Sequence, residues 1–192
     1  RTQITTQSGA DRINITSTAA DGVLIVNTDG GDDVVEINNT GDGSVTQLNV
    51  GAGRDGMTLR NSGNNSGVEF NGQADNDGST APVTIESTGE GSVADVNGGD
   101  GDDQFQVLGT GDSSSIQLDG DNGRDQMFIR ATAESNETQL NGGDGNDEFS
   151  LTKVSPSRLG ATGPIEWNYK RSVRQRPARR QQQRRLNLWW GR

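Results

Sequence analysis

Residues 98–106 read GGDGDDQFQ and residues 142–150 read GGDGNDEFS, and the sixth residue of each nonapeptide is an aspartate that recurs along the chain. The step between recurrences is 22 residues, except for one step of 26 residues that begins at Asp77. A fixed period of this length is typical of solenoid proteins, in which stacked repeats bury a thin continuous core. We call these aspartates the anchors: Asp11, Asp33, Asp55, Asp77, Asp103, Asp125 and Asp147.

Apolar residues keep the same register as the anchors. They occupy the second and fourth positions after most anchors, and the seventh position before each anchor. Alternation of this kind predicts strands with one buried face, so each repeat should contain two strands and two turns. The sequence therefore predicts an all-β protein, a right-handed parallel β-solenoid of the β-roll type with about seven coils of 22 residues. The four extra residues are expected between Asp77 and Ile85, where Pro82 favours a bulge or loop.

Polar residues also form columns at this period. One column is expected to be an amide ladder along the solenoid axis, and a hydroxyl column is expected to satisfy backbone groups at the opposite turn. The amide column is Asn27, Asn49, Asn71, Asn97, Asp119 and Asn141, and the hydroxyl column is Thr18, Thr40, Ser62, Thr88, Thr110 and Thr132.

The composition supports a repeat architecture and argues against an enzyme. Only 28% of the 192 residues are hydrophobic and 4% are aromatic, which is too little for a conventional core. The absence of Cys excludes disulfides and thiolate metal sites, and the absence of His removes the commonest general base and most transition-metal sites. Acids are abundant but repeat regularly, so we expect no catalytic residues and no organic cofactor.

Charge divides the chain into three parts. Ten Lys or Arg and one acid follow from Arg158 onward, whereas the preceding residues hold seven basic and 26 acidic residues. We expect a solenoid over residues 1–154, a C-terminal cap over 155–170 and a basic, disordered tail over 171–192. The acidic body should repel nucleic acid, and no apolar run is long enough to insert in a membrane. Because the chain starts at Arg1 and not at Met, we expect a processed form or a segment of a longer protein.

The turns that precede the anchors resemble the calcium-binding nonapeptide of the RTX (repeats-in-toxin) family, G-G-x-G-x-D-x-U-x. The two nonapeptides quoted above match it at every specified position, the copies before Asp33, Asp55 and Asp125 match in part, and those before Asp11 and Asp77 match poorly. The resemblance implies a β-roll in which turn carbonyls and aspartates of adjacent coils hold Ca²⁺. The ligands it implies here are Asp103, Asp125, Asp147, Asp33, Asp55, Asp11, Gly99, Gly101, Gly123, Gly143, Gly145, Asp121 and Asp29.

The chemistry of these residues is compatible with that implication. Ca²⁺ takes six to eight hard oxygen ligands, and glycine lets turn carbonyls face inward. Unlike the family pattern, the motif occupies only one of the two turns of each coil, so a single file of ions is expected, with a missing ion near Asp77. Arg54 and Arg124 directly precede anchors and could replace a cation there. An acidic turn ladder that binds nothing specific is the alternative.

These observations predict a secreted or cell-surface bacterial module that is structural or adhesive. Ca²⁺ would couple its folding to rigidity, and the chain would be expanded without the ion. The alternative is a calcium-independent β-solenoid that associates end to end into filaments or a surface layer.

Overall fold

The structure is a computed structural model that describes residues 1–130, 132–133, 135–152, 159–162 and 165–167. Sixteen strands follow one another in this part of the chain. They are β1 (Thr2–Thr5), β2 (Arg12–Ser17), β3 (Val23–Asn27), β4 (Val34–Asn39), β5 (Val45–Asn49), β6 (Gly56–Asn61), β7 (Gly67–Asn71), β8 (Val83–Ile85), β9 (Val93–Asn97), β10 (Gln104–Val107), β11 (Ser115–Asp119), β12 (Gln126–Ile129), β13 (Glu137–Asn141), β14 (Asp147–Leu151), β15 (Leu159–Thr162) and β16 (Ile165–Trp167).

The strands form two parallel sheets of eight strands each. The odd-numbered strands make the first sheet in the order β1-β3-β5-β7-β9-β11-β13-β15, and the even-numbered strands make the second sheet from β2 to β16 in the same way. Each strand pairs with the strand one coil away, and the register is the sequence period: Leu48 lies beside Phe70, for example. The predicted parallel β-solenoid with coils of about 22 residues is therefore confirmed.

The core is the space between the two sheets. The predicted apolar columns fill it, with Val35 and Ile37 of the second sheet and Leu48 and Phe70 of the first fully buried. Ile4, Ile13 and Ile15 of the first coil are partly buried against this core. Because most strands bury only two side chains, few apolar residues suffice for this thin core.

The predicted hydroxyl column is present among the described residues, and the predicted amide ladder is present except at Asn97, whose Nδ2 donates to Asp121 Oδ2 at 3.0 Å. Asn49 Nδ2 donates to Asn27 Oδ1 at 2.8 Å, and Asn71 Nδ2 donates to Asn49 Oδ1 at 3.1 Å. At the opposite turn, the Thr40 hydroxyl accepts the backbone N–H of Gly63 at 3.0 Å. Each such side chain reaches one coil away, so these ladders hold successive coils together.

The extra four residues lie where they were expected. The strand pairing brings Val83 beside Phe105 and Ile85 beside Val107, so the additional residues precede β8, which is only three residues long. Ala81 of this segment lies over Gly56 on the outer face of the second sheet, where a larger residue than glycine would collide with it. The insertion therefore bulges outward and leaves the core register intact.

Two short strands continue the solenoid beyond the repeats. β15 pairs with β13 and β16 pairs with β14, both within the segment expected to be a cap. Tyr169 of the expected cap and the basic tail 171–192 lie outside the described residues. The described part of the chain contains no helix that could cross a membrane.

Candidate functional site

The anchors lie on one edge of the solenoid, at the start of the second-sheet strands. The turns that end at them, residues 28–33, 50–55, 72–77, 98–103, 120–125 and 142–147, form what we call the Gly/Asp edge. Six anchors are at most 3% exposed, and only Asp11 of the first coil is partly exposed. The anchor carboxylates are thus enclosed by the coils and do not line a solvated turn.

The anchor carboxylates form a continuous hydrogen-bonded ladder. In each coil the backbone N–H of the anchor donates to Oδ1 of the anchor in the following coil. The distances are 2.7 Å from Asp11 to Asp33, 2.7 Å to Asp55, 2.9 Å to Asp77, 2.7 Å to Asp103, 2.8 Å to Asp125 and 3.0 Å to Asp147. The ladder runs through Asp77 without a break, although the turn before that residue departs most from the motif.

The second oxygen of each buried anchor lacks a partner. Oδ2 is buried without a hydrogen bond in Asp33, Asp55, Asp77, Asp103, Asp125 and Asp147. In the last four, Oδ2 packs against the glycine five positions earlier: a Cβ added to Gly72, Gly98, Gly120 or Gly142 would collide with it. A buried, unpaired carboxylate oxygen is costly, so each of these atoms requires a proton or a cation.

Burial changes the acidity of the anchors. It raises the pKa of Asp77 to about 8, those of Asp55 and Asp103 to about 7, and that of Asp125 to about 6. The backbone N–H that each carboxylate accepts opposes this rise in pKa, and the negative charge of a neighbouring anchor adds to it. The ladder consequently changes its charge near neutral pH unless a cation compensates it.

Backbone carbonyls of the same turns complete the set of available oxygens. The carbonyl oxygens of Gly98, Gly120, Gly101 and Gly123 accept no hydrogen bond from a described residue. The space in front of Gly72 is bounded both by Oδ2 of Asp77 and by the carbonyl oxygen of Gly98 in the following coil, so oxygens of two coils converge there. Ca²⁺ takes six to eight oxygen ligands, so further carbonyls of the two turns would have to join this pair to complete a site.

The first coils offer fewer free oxygens. Thr28 and Val50 stand where later coils have glycine, and their carbonyl oxygens accept the hydroxyls of Thr6 at 3.3 Å and Thr28 at 2.8 Å. In their own coils, the anchors Asp33 and Asp55 therefore have no free carbonyl at this position. The donor set fits Ca²⁺ best from Asp77 to Asp147.

The glycines implied as ligands hold the turn conformation. Gly101, Gly123 and Gly145 have φ between 144° and 149°, a region that L-residues avoid, and Gly99 and Gly143 have φ of 95° and 79°. Asp29 and Asp121 occupy the same turn position as Gly99 with φ of 67° and 63°. The Asp121 carboxylate accepts a hydrogen bond from Asn97 Nδ2 at 3.0 Å.

The arginines beside the anchors do not neutralise them. Arg54 pairs with Asp32 of the previous coil at 2.8 Å, on the outside of the turn. The backbone N–H of Arg124 donates to Asp102 at 2.8 Å. No ion pair of the described residues involves an anchor, and none of their acids gather in a group of three that could hold a metal. Any ion here would be held by one carboxylate per coil together with carbonyls.

Sequence reasoning missed a buried hydroxyl column on the opposite edge. Ser44, Ser66, Ser92 and Ser114 are at most 2% exposed and follow the same period as the anchors. Ser114 Oγ lies 2.9 Å from the carbonyl oxygens of both Gly89 and Gly111, which share its single proton. Because these serines recur with the same spacing as the anchors, the sequence could have predicted this column. Because this edge has hydroxyls where the other has carboxylates, only the Gly/Asp edge is suited to a cation.

No protein-family model, curated protein or solved structure matches the chain.

Proposed function

We propose that the chain is a secreted structural repeat module that binds Ca²⁺ between successive coils of its Gly/Asp edge. The observation that carries this proposal is the row of buried, unpaired Oδ2 atoms on the anchors. A divalent cation between two coils would neutralise their carboxylates and join them, which converts repulsion within the ladder into cohesion.

The residues that would hold the ions lie in the C-terminal half of the solenoid. Asp77, Asp103, Asp125 and Asp147 would each contribute Oδ2, and the free carbonyls of their turns would supply the remaining ligands. Oxygen-only ligands favour Ca²⁺ over transition metals. Mg²⁺ should bind more weakly because it demands a tighter octahedral arrangement and gives up its waters reluctantly.

An extracellular location follows from the same proposal. The protein has no Cys, so it does not rely on disulfides as many small secreted domains do. A row of bridging cations would provide an equivalent set of cross-links where Ca²⁺ is abundant. The role of the module would be mechanical, as a rigid spacer or adhesive segment, and we propose no enzymatic activity for it.

The experiment is a calcium titration with two matched variants. Asp103→Asn keeps the Oδ1 acceptor of the ladder but removes the charge from a coil with free carbonyls. Asp33→Asn makes the same change where Thr28 occupies the corresponding position. We expect calorimetry to show weaker or fewer Ca²⁺ sites in Asp103→Asn and an unchanged titration in Asp33→Asn. Absence of Ca²⁺ binding to the wild-type chain at millimolar concentration would refute the proposal.

Calcium-independent assembly is the second candidate, because successive coils pair edge to edge as parallel strands, and two copies of the chain could continue the same pairing. Exposed strand edges are templates for pairing with another chain. Electron microscopy of the protein with EDTA and with Ca²⁺ separates the candidates, because filaments that form equally in both conditions favour assembly as the function.

A further inference from the structure

Two exposed apolar side chains stand out on the outer face of the first sheet. Val45 and Val93 are 42% and 52% exposed, and they are the large hydrophobic residues exposed in the described part of the chain. They belong to the same column, two coils apart, and Gly67 lies between them: Val45 pairs with Gly67, and Gly67 pairs with Val93. The missing side chain at Gly67 leaves a notch with a valine on each side.

The notch has the dimensions of an aromatic ring. Strands two positions apart in a sheet are separated by about 9.6 Å, which leaves space for one flat ring in van der Waals contact with both walls. The floor is open, because a Cβ added to Gly67 would meet no atom within 4 Å. The backbone is in regular register there, with the Gly67 N–H donating to the Ser44 carbonyl at 2.8 Å.

Uncompensated negative charge lies next to the notch. Glu69 and Asp95 are register partners in the adjoining outward column, so two carboxylates face each other across one strand spacing. The three ion pairs among the described residues lie on the second sheet and at the Gly/Asp edge, and none includes Glu69 or Asp95. Burial, and then the charges of Glu69 and Asp119, raise the pKa of Asp95. The Glu69 carboxylate accepts hydrogen bonds from Asn71 and Gln47, which lower its pKa, so neutral donors and not a cation hold its charge.

The chain itself contains a segment with the complementary chemistry. Residues 171–192 include eight arginines and no acid, together with Trp189 and Trp190. From the end of β16 about 20 residues precede these tryptophans, an extended reach of roughly 70 Å. The notch is four coils from β16, a distance of about 19 Å along the axis. The segment can therefore reach it within the same molecule, at high effective concentration.

We propose that the notch formed by Val45, Gly67 and Val93 binds an indole ring of the C-terminal segment 171–192 of the same chain, with arginines of that segment against Glu69 and Asp95. The site is a cation-and-aromatic receptor on the first sheet, separate from the Gly/Asp edge. The Gly/Asp edge is also acidic, but it contains Arg54 and Arg124 and has no exposed large apolar side chain. Docking through this notch does not depend on calcium.

The test follows cleavage of the segment by trypsin at low ionic strength in EDTA, with products identified by mass spectrometry. Gly67→Val fills the notch without a steric conflict and replaces glycine with a residue that favours strands. We expect it to accelerate cleavage within 171–192 about tenfold, as for a segment that is docked about nine-tenths of the time. Ser115→Val, in the same column beyond Val93, is the matched control and should leave cleavage unchanged.

Charge variants provide an independent arm. Glu69→Gln with Asp95→Asn should accelerate cleavage, whereas Asp75→Asn with Asp144→Asn, which removes two exposed charges from the Gly/Asp edge, should not. The proposal would be overturned if the two pairs of charge variants changed the cleavage rate equally. It would also be overturned if Gly67→Val were cleaved as slowly as the wild-type chain. A cleavage rate that falls with protein concentration would instead place the segment on a second copy and overturn docking within one chain. Circular dichroism verifies that each variant folds. If Gly67→Val does not fold, the comparison of the two pairs of charge variants decides whether the proposal holds.

Discussion

Raising the pH from about 5 to about 8.5 in the presence of a chelator should destabilise the solenoid, because the buried anchors must then ionise. Their pKa values are raised in the folded state, to about 7 for Asp103 and about 8 for Asp77 from an ordinary 3.8. Between pH 4 and 8 the folded chain therefore binds more protons than the unfolded chain. By linkage, the free energy of unfolding falls as the pH rises through this window.

The magnitude follows from the size of the pKa shifts. Asp103 is ionised in the unfolded chain at both pH 5.5 and pH 8.5, so only the step from pH 5.5 to its folded pKa of about 7 contributes, which is about 2 kcal/mol for this carboxyl group. With a urea dependence of about 2 kcal/mol per molar, that carboxyl alone lowers the unfolding midpoint by roughly 1 M. Asp55, Asp77 and Asp125 act in the same direction over overlapping ranges of pH.

The assay is urea unfolding followed by far-ultraviolet circular dichroism at pH 5.5 and 8.5, with EDTA and with Ca²⁺. In EDTA the midpoint should be lower at pH 8.5, and Ca²⁺ should restore it, because the ion binds the ionised ladder. Asp103→Asn cannot ionise and should reduce the dependence on pH. A midpoint in EDTA that is equal or higher at pH 8.5 would refute the reasoning that the anchors are buried acids.

Three substitutions test the turns and ladders by their effect on the urea midpoint. Gly101→Ala should destabilise the protein by about 3 kcal/mol, because Gly101 has φ of 144° and an added Cβ would collide with the Asp75 carbonyl. A decrease in the free energy of unfolding of less than about 1 kcal/mol would contradict this geometry. Gln73→Gly should stabilise it by about 1 kcal/mol, since Gln73 has φ of 79° at the turn position that Gly51, Gly99 and Gly143 occupy in other coils. A destabilised variant would show that the Gln73 side chain compensates this strain. Thr40→Val should cost about 1–3 kcal/mol by leaving the Gly63 N–H without its acceptor, and the stability would remain unchanged only if water replaced the hydroxyl.

The sequence was sufficient to predict the architecture because the fold repeats one local rule. The apolar residues that recur every 22 residues also alternate along the chain, which predicts the strands. The single step of 26 residues predicts the insertion, which lies before β8. A strand that is assigned wrongly in one coil can be reassigned from the neighbouring coils, since paired strands must share their register. This redundancy explains why the polar ladders of Asn27 and Thr40 were also predictable.

The orientation of the anchors was not predicted, although a signal for it existed. An aspartate after glycines suggests an exposed turn, which is the usual place for a carboxylate. The anchor, however, has the same parity as the apolar residues two and four positions later, such as Phe105 and Val107 after Asp103. Parity along the strand assigns all three to the inner face, and the structure buries all three. The lack of a hydrogen-bond partner for Oδ2 of Asp103 depends on how the side chain packs against Gly98. The sequence pattern of a single coil does not predict that packing.

The anchors also determine what removal of an ion would do. Each turn is held in both directions: the anchor N–H donates to the following coil, while the N–H groups of Arg54 and Asp102 donate back to Asp32 and Asn76, at 3.0 and 2.9 Å. All these hydrogen bonds join protein groups, so the coils are held together at the Gly/Asp edge by more than any ion would add. We therefore expect the ion-free chain to expand only where the ladder is ionised. In EDTA we expect the β spectrum to persist at pH 5.5 and to weaken at pH 8.5. Loss of the spectrum at pH 5.5 would show that cations, and not protons, are indispensable to the ladder.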